Sequence, residues 1–280
     1  MKLLNGKEFA DKIKREVRDE VKKLEANGGS VQLAVIQVGD NAASSTYVKN
    51  KQNACEYCNI KSIVYKLPND SSEEDLIELI EMLNATKQVN GILVQLPLPN
   101  HINEHKVIQA ITPEKDVDGF HESNVGKLMI GEDTFVPCTT KGIIELLKEN
   151  NIKIEGMNCV VVGRSNIVGK PTAIELLRNN GTVTICHSKT KGLKQICREA
   201  DILVCAIGKP KFFNKEYISP NTAVVDVGIH RQEDGTLCGD VDFEDVKDIV
   251  SAITPVPRGV GAMTVAMLMK NCVQAAKMQL

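Results

Sequence analysis

Tyr47 and Lys51 lie four residues apart in a segment with helical patterning, so both side chains project from one helix face. A phenol and an amine at that spacing can hold and pass protons, although Tyr-x-x-x-Lys also fits a solvated helix face. Gln95 is more informative. It stands within the apolar run Ile92-Leu-Val-Gln-Leu-Pro97, where a buried strand has no use for an amide unless something hydrogen-bonds to it. Asp116 and Asp118 follow a proline-bounded turn and precede Gly119, the pattern of a strand-end loop. An amine, a phenol, an amide and a carboxylate from separate elements suit acid/base chemistry on one bound molecule. Spacing alone leaves their convergence open.

A second constellation sits in Val160-Val-Val-Gly-Arg-Ser-Asn-Ile-Val-Gly-Lys-Pro171, which reads as a strand, a glycine turn and a helix start. Gly163 permits the tight turn and Gly169 a close approach of the helix, whose first amides and dipole favour an anion. Ser165 replaces the middle glycine of G-x-G-x-x-G, so a plain strand-to-helix turn stays open on this segment alone. The context points to a dinucleotide. An NAD site carries a carboxylate about 20 residues on, at the end of the next strand. Here Val183–Cys186 runs into His187-Ser188-Lys189-Thr190 with no carboxylate, and Arg164 stands in the turn. A polar-to-basic pocket of Arg164 and Ser188 fits a 2′-phosphate and favours NADP over NAD. The strand ends at Ala206-Ile-Gly208 and Asp226-Val-Gly-Ile229 belong to the same cofactor edge.

These residues need rigid elements to hold them. Phe9, Ile13, Val17, Val21 and Leu24 form an apolar helix face ended by Gly28-Gly29, and Val31–Val38 reads as a buried strand. The alternation continues with a helix at Ala43–Cys58, a strand at Lys61–Leu67, a helix at Ser72–Leu83 and a strand at Gly91–Leu96. After Gly119 the pattern weakens until a linking helix at Thr139–Lys148. A second block follows: Cys159–Val162, Val168–Arg178, Val183–Cys186, Leu193–Glu199, Ile202–Ala206, Ala223–Val227 and Ile249–Ile253. A last apolar helix at Met263–Met278 is expected to return to the first domain. Strands that are nearly all apolar, alternating with helices, predict parallel sheets covered on both faces. The expected fold is α/β, with an N-terminal parallel-sheet catalytic domain and a C-terminal Rossmann-like NAD(P)-binding domain. The expected bounds are 1–118, completed by 256–280, and 137–255.

Composition removes other classes. The chain has 280 residues, 42% hydrophobic and 25% charged, as in ordinary globular proteins. Its 34 Lys plus Arg against 36 Asp plus Glu leave −2, no basic surplus for nucleic acid. No apolar run approaches the ~20 residues that cross a membrane. The N-terminus lacks the stretch of a signal peptide, and nine scattered cysteines suit a reducing cytoplasm better than a disulfide framework.

Taken as a set, these segments resemble the bifunctional methylenetetrahydrofolate dehydrogenase/methenyltetrahydrofolate cyclohydrolase family over nearly the whole chain. The matching stretches are Thr46-Tyr-Val-Lys-Asn-Lys51, Gly91-Ile-Leu-Val-Gln-Leu-Pro-Leu-Pro99, Pro113-Glu-Lys-Asp-Val-Asp-Gly119, Pro137-Cys-Thr139, Val162–Pro171 and Thr254-Pro-Val-Pro257. The resemblance implies oxidation of 5,10-methylenetetrahydrofolate by NADP and hydrolysis of the methenyl product to 10-formyltetrahydrofolate, in one cleft. It places the chain in one-carbon metabolism and purine biosynthesis. It makes Lys51 the catalytic lysine, Tyr47 the residue beside the folate, Gln95 the glutamine that positions the lysine and Asp118 the pterin anchor. Gly163, Arg164, Ser165 and Ser188 become the cofactor loop and its phosphate contacts, and Ile229 a backbone contact to the cofactor. Partial burial is expected to tune Lys51 for proton transfer. A homodimer through the cofactor domain is the family precedent.

Departures from the family pattern flank the cleft. Pro257-Arg-Gly-Val-Gly-Ala-Met-Thr264 carries Arg258 where glycine is usual and Ala262 where proline is usual. Thr140 and Ala42 also replace prolines, and Glu122-Ser123 departs from the usual continuation. Two other readings follow: a dehydrogenase that has lost the hydrolase step, and a sensor that binds NADP or folate without turnover. Two metal-like patterns carry less. His101-Ile-Asn-Glu-His105 has zinc-peptidase spacing without an evident third ligand, and Cys55-Glu-Tyr-Cys58 has no second pair. No metal is expected. His187 and His230 are expected at the cofactor edge or the surface.

Overall fold

The computed structural model describes residues 1–279. In chain order its elements are β1 (Lys2–Leu3), α1 (Gly6–Ala26), β2 (Gln32–Val38), α2 (Ala42–Tyr57), β3 (Lys61–Leu67), α3 (Glu73–Ala85), β4 (Gly91–Val94), α4 (Glu104–Ala110) and α5 (Glu122–Ile130). The second half holds α6 (Cys138–Glu149), β5 (Asn158–Val162), α7 (Gly169–Arg178), β6 (Thr182–Cys186), α8 (Leu193–Arg198) and β7 (Ile202–Cys205). It closes with β8 (Ala223–Asp226), β9 (His230–Arg231), β10 (Leu237–Cys238), α9 (Phe243–Val246), β11 (Ala252–Ile253) and α10 (Val260–Met278).

Two compact units emerge. One comprises Asp11–Cys138 with residues 265–279, the other Met1–Ala10 with Thr139–Thr264. Where 1–118 was expected as a single domain, the first ten residues group with the second unit. Lys2 and Leu3 pair in parallel with Ala252 and Ile253 of β11, and a two-residue strand leaves no periodic trace in sequence.

The first unit is built on a parallel sheet in the order β3-β2-β4. Its central strand β2 is buried from Leu33 onward, whereas the edge strand β3 is half-exposed. Full cover on both faces therefore holds for β2 and for β4, which is buried throughout, but not for β3. α3 lays Leu76, Ile80 and Leu83, one face at helical spacing, against Ile36, Ile92 and Val94. Its start is a reciprocal capping box: Ser72 Oγ accepts from the Asp75 N–H at 3.0 Å and the Asp75 carboxylate from the Ser72 N–H. From residue 265 onward α10 belongs to this unit, where Met269 packs its sulfur 3.7 Å from Cys55 Sγ of α2.

The second unit carries a six-stranded parallel sheet ordered β1-β11-β8-β7-β5-β6. Alternate residues of β5 enter different cores. Val160 and Val162 join Leu203, Cys205 and Val224 in one, while Cys159 and Val161 join Ile202, Val204 and Val225 in the other. This is the two-faced burial of a doubly wound sheet. The chain steps from β5 out to β6 and then back to β7 on β5's other side. The switch point, where such sheets bind ligands, lies at the carboxyl ends of β5 and β7.

α5 and the β9–β10 hairpin have no counterpart in the sequence reading, and the expected strand Ile249–Ile253 shrinks to Ala252–Ile253. α5 buries only Asn124 and Leu128 and leaves Met129 and Ile130 exposed, so it shows no apolar stripe.

Candidate active site

In the first unit, α2 presents Tyr47 and Lys51 on one face, as their spacing requires. Its first turn is tied down by Asn41 Oδ1, which accepts from the Ser44 N–H at 3.1 Å, and by Gln37 of β2. The Gln37 amide donates to Gly39 O at 3.0 Å and Ser45 Oγ at 2.9 Å. Tyr47 is half-buried, and that burial raises its hydroxyl above the ordinary phenol value. Lys51 is only 9% exposed. Its Nζ donates to Gln95 Oε1 at 3.1 Å. Among the described residues no carboxylate lies within ion-pair distance of this amine. A buried amine held by a neutral amide keeps its direction without an ion pair.

Gln95 is not inside a strand. β4 ends at Val94, and Gln95 is the first residue beyond it, its N–H donating to Ile36 O at 2.8 Å. Its side-chain amide donates to Leu96 O at 2.7 Å, leaving Oε1 turned to the lysine. The anomaly of an amide in an apolar run is thus a strand exit, where parallel sheets place ligands.

The two aspartates divide their work. Asp116 is buried and bonds the Gly119 N–H (3.1 Å), the His121 N–H (2.8 Å) and Asn124 Nδ2 (2.8 Å). Burial pushes its pKa up against those donors. Asp118 is half-exposed, and among the described residues its carboxylate has no hydrogen-bond or ion-pair partner. Asp116 folds the loop, and the Asp118 carboxylate is left without a partner among the described residues. Lys115, missed by the sequence reading, anchors the same loop. Its buried ammonium donates to Leu83 O (3.1 Å), Asn84 O (2.8 Å) and Thr86 O (2.8 Å), carbonyls clustered at the end of α3. Gly119 follows at φ +75°, where a Cβ would stand 2.7 Å from Phe135 O.

In the second unit, both glycines of the turn are sterically required. A Cβ on Gly163, at φ +141°, would stand 2.3 Å from Ala206 O, and one on Gly169 would stand 2.3 Å from Gly163 O. The backbones of the two switch-point strands and the α7 entry touch directly. One expectation needs correction. The first amides of α7 are not open to an anion, because Ser165 Oγ accepts the Val168 and Gly169 N–H groups, each at 3.2 Å, and Ser165 O accepts that of Lys170 at 3.0 Å. Ser165 is the cap of α7's entry, a role that short polar side chains fill at such positions.

Arg164 and Ser188 stand at one edge of the sheet. Val162 pairs with Cys186 in the parallel β5–β6 register, so Arg164 and Ser188 each stand two residues past a matched pair at one sheet edge. Both are exposed, as is Lys189. The turn beneath is set by the His187 N–H donating to Thr190 Oγ1 (2.9 Å) and the Lys189 N–H to His187 Nδ1 (3.1 Å). Among the described residues of this turn, His187 to Thr190, there is no carboxylate. Ile229 lies past the end of β8, 38% exposed.

Other patterns fall away from the site. His101 precedes α4, which starts only at Glu104, so the H-x-x-E-H residues share no helix face. Cys55 and Cys58 are both buried at the end of α2. Among the described residues no three His, Cys, Asp or Glu side chains are placed to hold a metal, and no helix is long and apolar enough to cross a membrane. Arg258 adopts φ +79°, a region that favours glycine.

Residues 4–118 match the tetrahydrofolate dehydrogenase/cyclohydrolase catalytic domain, and residues 137–280 match that family's NAD(P)-binding domain. The bifunctional protein FolD of Lachnoclostridium phytofermentans is 59% identical over 275 residues, 98% of each chain. The crystal structure of the bifunctional FolD methylenetetrahydrofolate dehydrogenase/cyclohydrolase from Campylobacter jejuni aligns over 100% of both chains, with TM-score 0.98 and 48% identity. The Trypanosoma brucei dehydrogenase-cyclohydrolase, complexed with NADP and an inhibitor, aligns over 98% of this chain and 96% of that one, with TM-score 0.93 and 37% identity. The chain belongs to the tetrahydrofolate dehydrogenase/cyclohydrolase family.

Proposed function

We propose that this protein oxidises 5,10-methylenetetrahydrofolate with NADP and hydrolyses the resulting 5,10-methenyltetrahydrofolate to 10-formyltetrahydrofolate. The observation that carries the reading is the buried Lys51 amine held by the neutral Gln95 amide in the same unit as an unpartnered Asp118. Asp118 anchors the pterin ring through its free carboxylate, and Tyr47 packs beside it. Lys51 moves the protons of the hydrolytic step: a water adds to the methenyl carbon and loses one proton, the remaining hydroxyl proton leaves as the carbon–N5 bond breaks to give the N10 formyl carbonyl, and N5 gains a proton, so that one proton is released overall. Gln95 aims the amine. NADP, when bound, accepts the hydride that leaves the methylene carbon. Arg164 and Ser188 hold its 2′-phosphate, the Gly163–Ser165 turn its backbone approach, and Ile229 a main-chain contact.

A homodimer through the cofactor-binding unit is part of the proposal. Among the described residues β6 has a strand neighbour on one side only, and Ile185 and Leu177 beside it are 42% and 57% exposed. Nine free, buried cysteines support work in a reducing cytoplasm.

The test is absorbance at the reduced-nicotinamide band with methylenetetrahydrofolate and NADP or NAD in parallel, followed by acidification to convert formyl product to methenyl. NADP reduction with formyl product is expected. Reduction without formyl product would leave a dehydrogenase alone, and binding without reduction would leave a sensor.

A further inference from the structure

Past β7 and β8 lies a hydrogen-bonded knot centred on Asp240, which is fully buried. Its Oδ2 accepts the N–H groups of Ile207 (2.7 Å) and Gly208 (3.0 Å). Its Oδ1 accepts the Lys209 N–H (2.9 Å) and bonds the His230 ring Nε2 (2.8 Å). One carboxylate thus takes three consecutive amides from the end of β7 and a side chain from beyond β8. A second carboxylate is stacked behind it. Asp226 Oδ1 accepts the N–H of Gly228 (3.0 Å) and of Asp240 itself (2.9 Å), and Oδ2 that of Val241 (2.9 Å). The packing leaves no slack: a Cβ on Gly228 would lie 2.3 Å from Asp240 Oδ1, and one on Gly239 1.8 Å from Asp226 Oδ2.

Ile229 sits between these two clamps. The residue before it is tied to Asp226 and the residue after it to Asp240, while its own side chain stays partly exposed. A short segment pinned on both sides presents its backbone in one conformation and loses little entropy when a ligand binds.

We propose that His230 and Asp240 are positioning residues for the cofactor, holding the 207–209 and 227–230 loops in one arrangement. The inference rests on the NADP reading given above. His230 touches no reacting atom. It donates Nε2–H to the buried carboxylate that also accepts the three loop amides, which ties both loops to one group. Its side chain is 22% exposed, so its replacement leaves the core of the unit in place.

The test compares His230→Ala with His230→Gln, whose amide nitrogen reaches about as far as imidazole Nε2. NADP affinity is measured by titration calorimetry on the full chain, and hydrolysis of methenyltetrahydrofolate without cofactor is followed alongside. His230→Ala is expected to weaken NADP about five- to tenfold, less than the full worth of a charge-assisted hydrogen bond because the bond acts on the cofactor only through the loops it holds. His230→Gln is expected to recover affinity to within about twofold of the unaltered chain, with hydrolysis unchanged in both. Unchanged NADP affinity in His230→Ala would overturn the proposal, as would a parallel fall in hydrolysis, which would mark a general structural role. Failure of the unaltered chain to bind NADP would remove the cofactor reading and the proposal with it, whereas NADP binding indifferent to His230 would remove the proposal alone.

Discussion

Replacing Lys51 by methionine keeps the buried aliphatic stem and removes the amine. The structure allows the consequence to be sized against that of losing Gln95. A positioned acid/base group contributes about 10²- to 10⁴-fold, so Lys51→Met should cut cyclohydrolase turnover by that range, roughly 3–5 kcal/mol of barrier. Gln95 acts on the amine through one hydrogen bond of 3.1 Å. A bond of that kind has a net worth of about 0.5–1.5 kcal/mol, so Gln95→Leu should cost only about two- to tenfold. The assay is the decay of methenyltetrahydrofolate absorbance without cofactor, with NADP affinity as the folding control, because its proposed contacts lie in the other unit. Full hydrolase activity in Lys51→Met would refute the proton-transfer role. Equal losses in the two variants would refute the division of labour, since Gln95 would then be doing chemistry itself.

Arg164→Ala should lower kcat/KM for NADP roughly 10- to 100-fold, the worth of a charge-assisted bond to phosphate, and leave NAD almost untouched; equal losses with both cofactors would argue against the 2′-phosphate contact. Gly163→Ala forces a Cβ to within 2.3 Å of Ala206 O at φ +141°. About 3 kcal/mol of destabilisation is expected, lowering the thermal midpoint by roughly 6–12 °C, and an unchanged midpoint would mean that β5 and β7 can part freely. Burial pushes the Cys55 and Cys197 thiols up to about 12 and those of Cys58 and Cys159 to about 11. Because thiolate is the reactive form, the native chain should resist a thiol reagent at pH 8 and the unfolded chain should react at all nine cysteines. Folded values above the ordinary 9.0 mean that the folded state holds these protons more tightly. Their contribution to stability is then complete below pH 9 and lost as pH rises through 11 to 12, which denaturant midpoints at pH 8, 9.5 and 11 would reveal as a fall.

Local rules reach a long way in this chain. The alternation of strand and helix is written in apolar periodicity, and β3 and α2 fall within a residue of their expected bounds. The sequence reads Gly163 as a tight turn and Gly169 as a close approach of the helix, and the structure shows contacts at both that exclude any Cβ. Lys51, Gln95 and Asp118 were singled out by residue type within a strand or helix pattern, and the chain brings the first two to within 3.1 Å. Such signals are legible because each depends on atoms within a few residues of one another.

Partnership is decided otherwise. Nothing near Gln95 reveals that it stands at a strand exit, facing an amine 44 residues earlier. Asp116 and Asp118 look alike in sequence, and only the packed loop consumes one carboxylate and leaves the other free. Ser165 reads as a substituted glycine, yet its hydroxyl takes amides that an anion was expected to use. Lys115 closes carbonyls about 30 residues away, and Asp240 ties three amides to His230 across two strand ends. The sequence by itself determined which elements form, which backbone turns need glycine and which side chains have chemistry to offer. The tertiary structure decided which of those groups are already satisfied, because a donor or acceptor is spent only when a distant segment folds onto it.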